Sequence, residues 1–361
     1  MILNENKLEG SEKKDFYKVL RSRVEKYFSS NDCSRYANLN MKVKTIIMLL
    51  IYFIPYILTV TGLVHQTSSI IILWVIMGFG MAGIGLSIMH DANHGAYSSK
   101  SWVNKLLGYT MNIIGANAKI WKLQHNLLHH NYTNIYGKDD DINPPSILRF
   151  SPHSQKYSYH KLQFLYVWIF YASSTLSWIT AKEFVQAIRY RNKGIITKRS
   201  ELIKILLQLL VWKIFYYSYM LVLPIYLFPE LAWVLFFAFI TMHLTTGLIL
   251  SLIFQTAHIT PECVYPKADN KDEILNNWAV HQMVTTSNYS PKSKLFSWYI
   301  GGLNYQVEHH LFPGICHIHY RKISTIVSST AKEFDVPYHT QRNFLIAISK
   351  HVKMLYSLGR N

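Results

Sequence analysis

The sequence predicts an all-α integral membrane protein, with four transmembrane helices in two hairpins and a helical cytoplasmic cap that holds a histidine-rich metal site. Three observations predict it. Hydrophobic residues make up 50% of the 361 and gather into runs near the length that crosses a hydrocarbon core of about 30 Å. The short loops inside each pair of runs lack Lys and Arg, although the chain carries 37 of them against 20 Asp and Glu. Three histidine clusters then fall, by the parity of the spans, on a single side.

Residues 1–42 are mostly polar, rich in Lys, Arg, Glu, Asp and Ser, and read as a cytoplasmic N-terminal segment rather than a secretory signal peptide. No repeat or low-complexity linker divides the remainder, so 43–361 reads as one domain. The first apolar run covers about 43–64 and the second about 69–89, with the polar His65, Gln66, Thr67 and Ser68 between them. That is a transmembrane hairpin. A third run covers about 202–228 and a fourth about 231–254, with Pro229 and Glu230 at the turn.

Two hairpins return the chain to its starting side. The N-terminal segment, the stretch from His90 to Glu201 and the tail after His258 therefore share one face, which holds nearly all the Lys and Arg and is cytoplasmic by the positive-inside rule. Lys213, inside the third run, reads as a snorkelling side chain or a tilted boundary rather than a buried functional charge. The stretch 164–179, rich in aromatic residues and broken by Ser, is short for a span and is expected to lie along the headgroups as an interfacial helix. A crossing there would put the later histidines on the wrong side.

The basic excess comes without a nucleic-acid-reading motif, so a nucleic-acid partner is not expected and the bilayer surface is. Cys33, Cys263 and Cys316 form no CxxC pair, which excludes a disulfide scaffold.

Seventeen histidines make an isolated HxxxH uninformative; their arrangement carries the signal. His90 and His94, in MHDANH, lie one helical turn apart, so two imidazoles can reach one metal. In HNLLHH, His125 and His129 share a helix face and His130 is offset by about a quarter turn, which lets one helix serve two metals. QVEHH repeats the stagger with Gln306, His309 and His310, and His258 ends the fourth run. Zinc fills its shell with about four ligands, so eight histidines and a glutamine oversupply it. Imidazole suits iron, and the Glu and ExxH pairs of soluble di-iron bundles are missing.

HDANH, HNLLHH and QVEHHLFP resemble the three histidine boxes of the membrane fatty-acid desaturases, in order and spacing, over the whole chain from the first span onward. The resemblance implies ligation of two irons by His90, His94, His125, His129, His130, His258, His309 and His310. Gln306 stands where many members have histidine, as in the front-end desaturases of linoleoyl type, and is either a weak ligand or a donor behind the ligands. His281 is a further candidate of that kind. Asp91 and Asp141 could orient ligand rings; Asp139 and Asp140 read at least as well as solvated charges or helix caps. His153, His160, His317 and His319 read as surface or interfacial groups.

The family's activity is oxygen-dependent insertion of a cis double bond into a fatty-acyl chain, carried as acyl-CoA or acyl-lipid. The HPGG motif of a fused haem domain is missing from the sequence, so the expected electron donor is a separate protein such as a ferredoxin or a free cytochrome. The expected location is the plasma or inner membrane of a bacterium, or the endoplasmic reticulum of a eukaryote, with both termini and the metals cytoplasmic. The nearest alternative is a lipid or alkane hydroxylase on the same site; a membrane zinc hydrolase or a metal-binding receptor is more distant.

Overall fold

The computed structural model of the chain describes residues 15–267 and 277–361. Five of its helices are long and apolar enough to cross a membrane: Leu39–Val60, Thr67–Asn93, Ser158–Asn192, Arg199–Leu227 and Pro229–His258. Four match the expected spans. Their outward faces carry Ile46, Leu50, Ile57, Ile72, Ile76, Leu207, Val211 and Phe237, all exposed. So large an apolar surface is at home in lipid, not water. Inside the bundle, Tyr52, Trp74, Met77, Tyr216 and Met242 are buried together.

The remaining helix is the one expected at 164–179. It runs further in both directions, as 35 residues from Ser158 to Asn192. Its middle lies against the last span. A Cβ at Gly247 would come within 2.2 Å of the Ala172 carbonyl oxygen, and Thr175 Oγ1 donates to the His243 carbonyl at 2.8 Å. Both of its ends meet polar segments outside the four matched spans. Gln163 Nε2 donates to the carbonyls of Arg149 and Leu355, and Arg189 and Tyr190 both bond Asp140 at 2.5 Å.

Segments outside the spans pack on one another. The N-terminal helix Phe16–Ser30 buries Phe16, Leu20 and Val24 against Tyr320, Ile323 and Val327 of the helix Tyr320–Glu333. Asn117, Asn277 and Asn343 each start a helix by accepting from backbone N–H groups of its first turn, which is worth about 1 kcal/mol per cap. The helical fold has one exception among the described residues: β1, Ser287–Tyr289, pairs in parallel with β2, His339–Gln341.

Lys213 departs from expectation. It is only 6% exposed and its ammonium bonds Glu183 at 2.6 Å, so it is a buried ion pair rather than a snorkelling charge.

Candidate metal centre

Box one sits at the membrane end of the second span, just past a π-helical segment, Ile84–Ile88. Box two lies on a helix that Asn117 starts and that becomes π-helical over Leu123–His129. Such segments bond i to i+5 and are frequent at functional sites. Box three forms the short helix Gln306–Leu311. The loop before it passes so close to the second span that a Cβ at Gly301, which has φ +67°, would meet the Leu86 carbonyl oxygen at 2.2 Å.

These elements bring the histidines into two groups of metal size. His90, His94, His125 and His309 form one; His129, His258 and His310 form the other; within each, the candidate ligand atoms lie within 4.8 Å of one another. His130 lies between them, its ring centred 4.7 Å from His309 and 4.5 Å from His310. Every one of these rings is buried except His94, which is half-buried.

The π segment corrects one expectation. His125 and His129 divide between the two all-histidine groups and meet again only through Asp141, while His125 and His130, five apart, bring their Nε2 atoms to 3.3 Å. The helix still serves two groups, but by the i to i+5 period rather than the α-helical one.

The rings are prepared as ligands. In the second group each Nδ1 is already engaged: His129 with Asp139 at 3.1 Å, His258 with the Thr285 carbonyl at 3.3 Å, His310 with Gln282 Oε1 at 2.7 Å. That fixes the tautomer and aims Nε2 inward. Nε2 of His90, His94, His258, His309 and His310 is buried without a hydrogen-bond partner among the described residues. Five orphaned imidazole nitrogens converging on one region are otherwise a costly arrangement, and a metal satisfies them.

Burial, reinforced by the neighbouring rings, lowers the pKa of His94, His130, His309 and His310 well below the usual imidazole value and pushes His125 to about 3, keeping them neutral and able to ligate. His129 is the exception. Burial opposes its charge, but Asp139 and Asp141 outweigh that and raise it to about 9.

The carboxylates take unexpected places. Asp139 is not a solvated charge: it is fully buried, places both oxygens 3.1 Å from His129 Nδ1 and accepts from the Asn134 amide. Asp140 is no cap either, since it pairs with Arg189. Asp141 lies 3.5 Å from His129 Nδ1 and 3.7 Å from His125 Nδ1. Asp91 stands 4.0 Å from His90 Nδ1 and accepts from His317 Nδ1 at 2.8 Å.

Among the histidines set aside, His160 and His317 are buried rather than interfacial. His317 also meets Lys44 Nζ through Nε2 at 2.7 Å. Asp91, Cys316 and His317 have the compactness of a metal site, but both nitrogens of His317 are engaged, so the trio is a hydrogen-bonded support for box one. His153 Nε2 donates to the Tyr265 carbonyl at 2.7 Å, and His319 packs on Phe28.

His281 joins neither group; its Nε2 bonds the Thr133 carbonyl at 2.9 Å, just past box two. Gln306 is fully buried with both carboxamide atoms unpartnered among the described residues, which fits a polar group awaiting a ligand. Two aromatic rings border the first group. Trp121 stacks on His125 at 4.5 Å and meets His90 and His94 edge-on, and Phe254 lies 6.0 Å from His125.

Comparison with known proteins agrees with this geometry. Residues 67–342 match the family described as fatty acid desaturase. The chain is 34% identical to an acyl-lipid (8-3)-desaturase of Physcomitrium patens, over 97% of this chain and 72% of that one. It is 33% identical to an sn-1 linoleoyl-lipid 6-desaturase of Arthrospira platensis, over 96% and 93%, and 30% identical to one of Synechocystis sp., over 99% of each. With all three histidine boxes inside the matched region and the match spanning most of its length, the chain belongs to the fatty acid desaturase family.

Proposed function

We propose that the protein is an oxygen-dependent acyl-lipid desaturase of the front-end type, working through two irons held by the two histidine groups. The observation that carries the reading is the pair of adjacent imidazole groups with orphaned nitrogens facing inward. His90, His94, His125 and His309 hold one iron and His129, His258 and His310 the other, with His130 between them and Gln306 as a weak ligand or donor. A donor set of imidazoles without thiolate favours iron over a closed zinc shell. Relatives named for acyl-lipid and linoleoyl-lipid substrates favour a lipid-borne chain over acyl-CoA.

When bound, the irons supply the oxidant that removes hydrogen from two adjacent methylenes, O2 being reduced to water with two electrons from an external donor. The chain's own residues do the rest. Asp139, Gln282 and the Thr285 carbonyl hold the second group's rings in one tautomer. Trp121 and Phe254 present apolar faces beside the first group and exclude water. A ferredoxin or a free cytochrome delivers the electrons, attracted by the basic face.

The chain crosses the membrane four times, with both termini and the metals cytoplasmic and 43–361 as one domain. The support is parity: His90 of box one, at the end of the second span, packs on His309, and His258, at the end of the last, packs on the adjacent His310, so an even number of crossings separates the two ends. Ser158–Asn192, tied at both ends to the polar segments, is then interfacial.

Expression in a host of defined fatty-acid profile tests the activity. The expected product is a new cis double bond between an existing one and the carboxyl end, with loss of two hydrogens. A gain of one oxygen instead would establish the hydroxylase alternative.

A further inference from the structure

The segment 113–117 closes a short helix at Ile113 and runs on as non-helical backbone over 114–117, packed among the spans, where each polar group needs a protein partner. It finds them on two distant helices. Tyr219 Oη donates to the Ile113 carbonyl at 2.5 Å, and Lys213 Nζ donates to the Gly115 carbonyl at 2.7 Å. Glu183 Oε1 accepts from the Asn117 amide at 2.6 Å.

Lys213 and Glu183 are also bonded to each other, so they act as one clamp. The ammonium spends its three protons on Gly115, on the Trp178 carbonyl at 3.0 Å and on Glu183 at 2.6 Å. Glu183 in turn accepts from the Trp178 indole at 3.1 Å. Gly115 has φ +92°, and a Cβ there would come within 2.9 Å of the Tyr216 ring and of Ile179. The segment has one seat.

What the clamp holds leads straight to the metals. Asn117 caps the start of the box-two helix, and Trp121 and His125 follow at successive steps of four. Trp121, which touches three histidines of the first group, belongs to an apolar set with Met89, Met111, Ala116 and Ala118, closed by Trp178. Both ends of that set are therefore fixed by the clamp: Ala116 and Ala118 flank Asn117, and Trp178 bonds both Lys213 and Glu183.

Resting on the desaturase reading, we infer that this apolar set is the wall against which the acyl chain lies at the first histidine group, and that Lys213 and Glu183 are positioning residues for it. They touch neither substrate nor metal. They set how far along the chain the reacting carbons fall, and so the position of the double bond.

The test is the variant Glu183→Gln/Lys213→Met, which removes both charges together and leaves no lone buried ion, with Gly115→Ala as a second variant that displaces the same segment without touching the pair. Wild-type and variant proteins are given a linoleoyl glycerolipid, and the products are read for double-bond position. The same radiolabelled lipid is then titrated onto the metal-free proteins. In whichever variant accumulates folded, we expect kcat/KM to fall about tenfold or more, because sub-ångström misplacement is enough for that. A displaced regioisomer should appear in the product, and binding to the metal-free protein should weaken.

Unchanged double-bond position, KM and lipid binding in a folded variant would overturn the inference and leave the pair a purely structural one. A wild-type protein that makes no new double bond would sink the desaturase reading itself, a separate outcome.

Discussion

At the residue scale the site depends on how each imidazole is held as much as on its presence. Asp139 grips His129 with both carboxylate oxygens and is itself fixed by the Asn134 amide. Replacing Asp139 by Asn keeps the shape and removes the charge that orients and enriches the ring. Metal affinity should then fall about 10- to 100-fold, the usual cost of losing such a partner, while the protein still folds; iron titration of the metal-free protein measures it, and an unchanged affinity would remove Asp139 from the site. The ligand-type residues themselves were legible in the sequence, because histidine spacing survives any fold that keeps the boxes helical. Their partners were not. Asp139 is separated from His129 by a turn, and Asp91 from His317 by 226 positions, so nothing local announces either pair.

At the element scale, hydropathy located the spans to within a few residues, since burial in lipid demands long apolar runs whatever the packing. Two things escaped it. The π segment at Leu123–His129 depends on the packing of the box-two helix, and it reassigns His125 and His129 to different groups. The helix Ser158–Asn192 extends well past its apolar centre because its polar ends bond the polar segments, a contribution hydropathy does not see. The interfacial placement proposed for it can be measured. With Cys33 changed to Ser, single variants Gln155→Cys and Lys193→Cys flank the helix, and Gln66→Cys marks the loop of the first hairpin. A membrane-impermeant maleimide should reach positions 155 and 193 from one side and position 66 from the other. Positions 155 and 193 reacting from opposite sides would make the helix a fifth crossing.

For the whole molecule, the spans, the polar segments and the apolar cluster around Trp121 all converge on the two histidine groups. The bundle supplies a lipid-facing surface and two helix ends that carry His90, His94 and His258 to the same level. The polar segments supply the other ligands and the hydrogen bonds that hold them. Five of its buried, unpartnered imidazole nitrogens belong to the two histidine groups, where a bound metal would satisfy them. The most direct measurement is therefore the metal content of the protein purified aerobically from iron-replete cells, together with that of His129→Ala. The account predicts about two irons per chain in the first and a clear loss of iron in the second. About one zinc per chain and no iron, unchanged by the substitution, would contradict it.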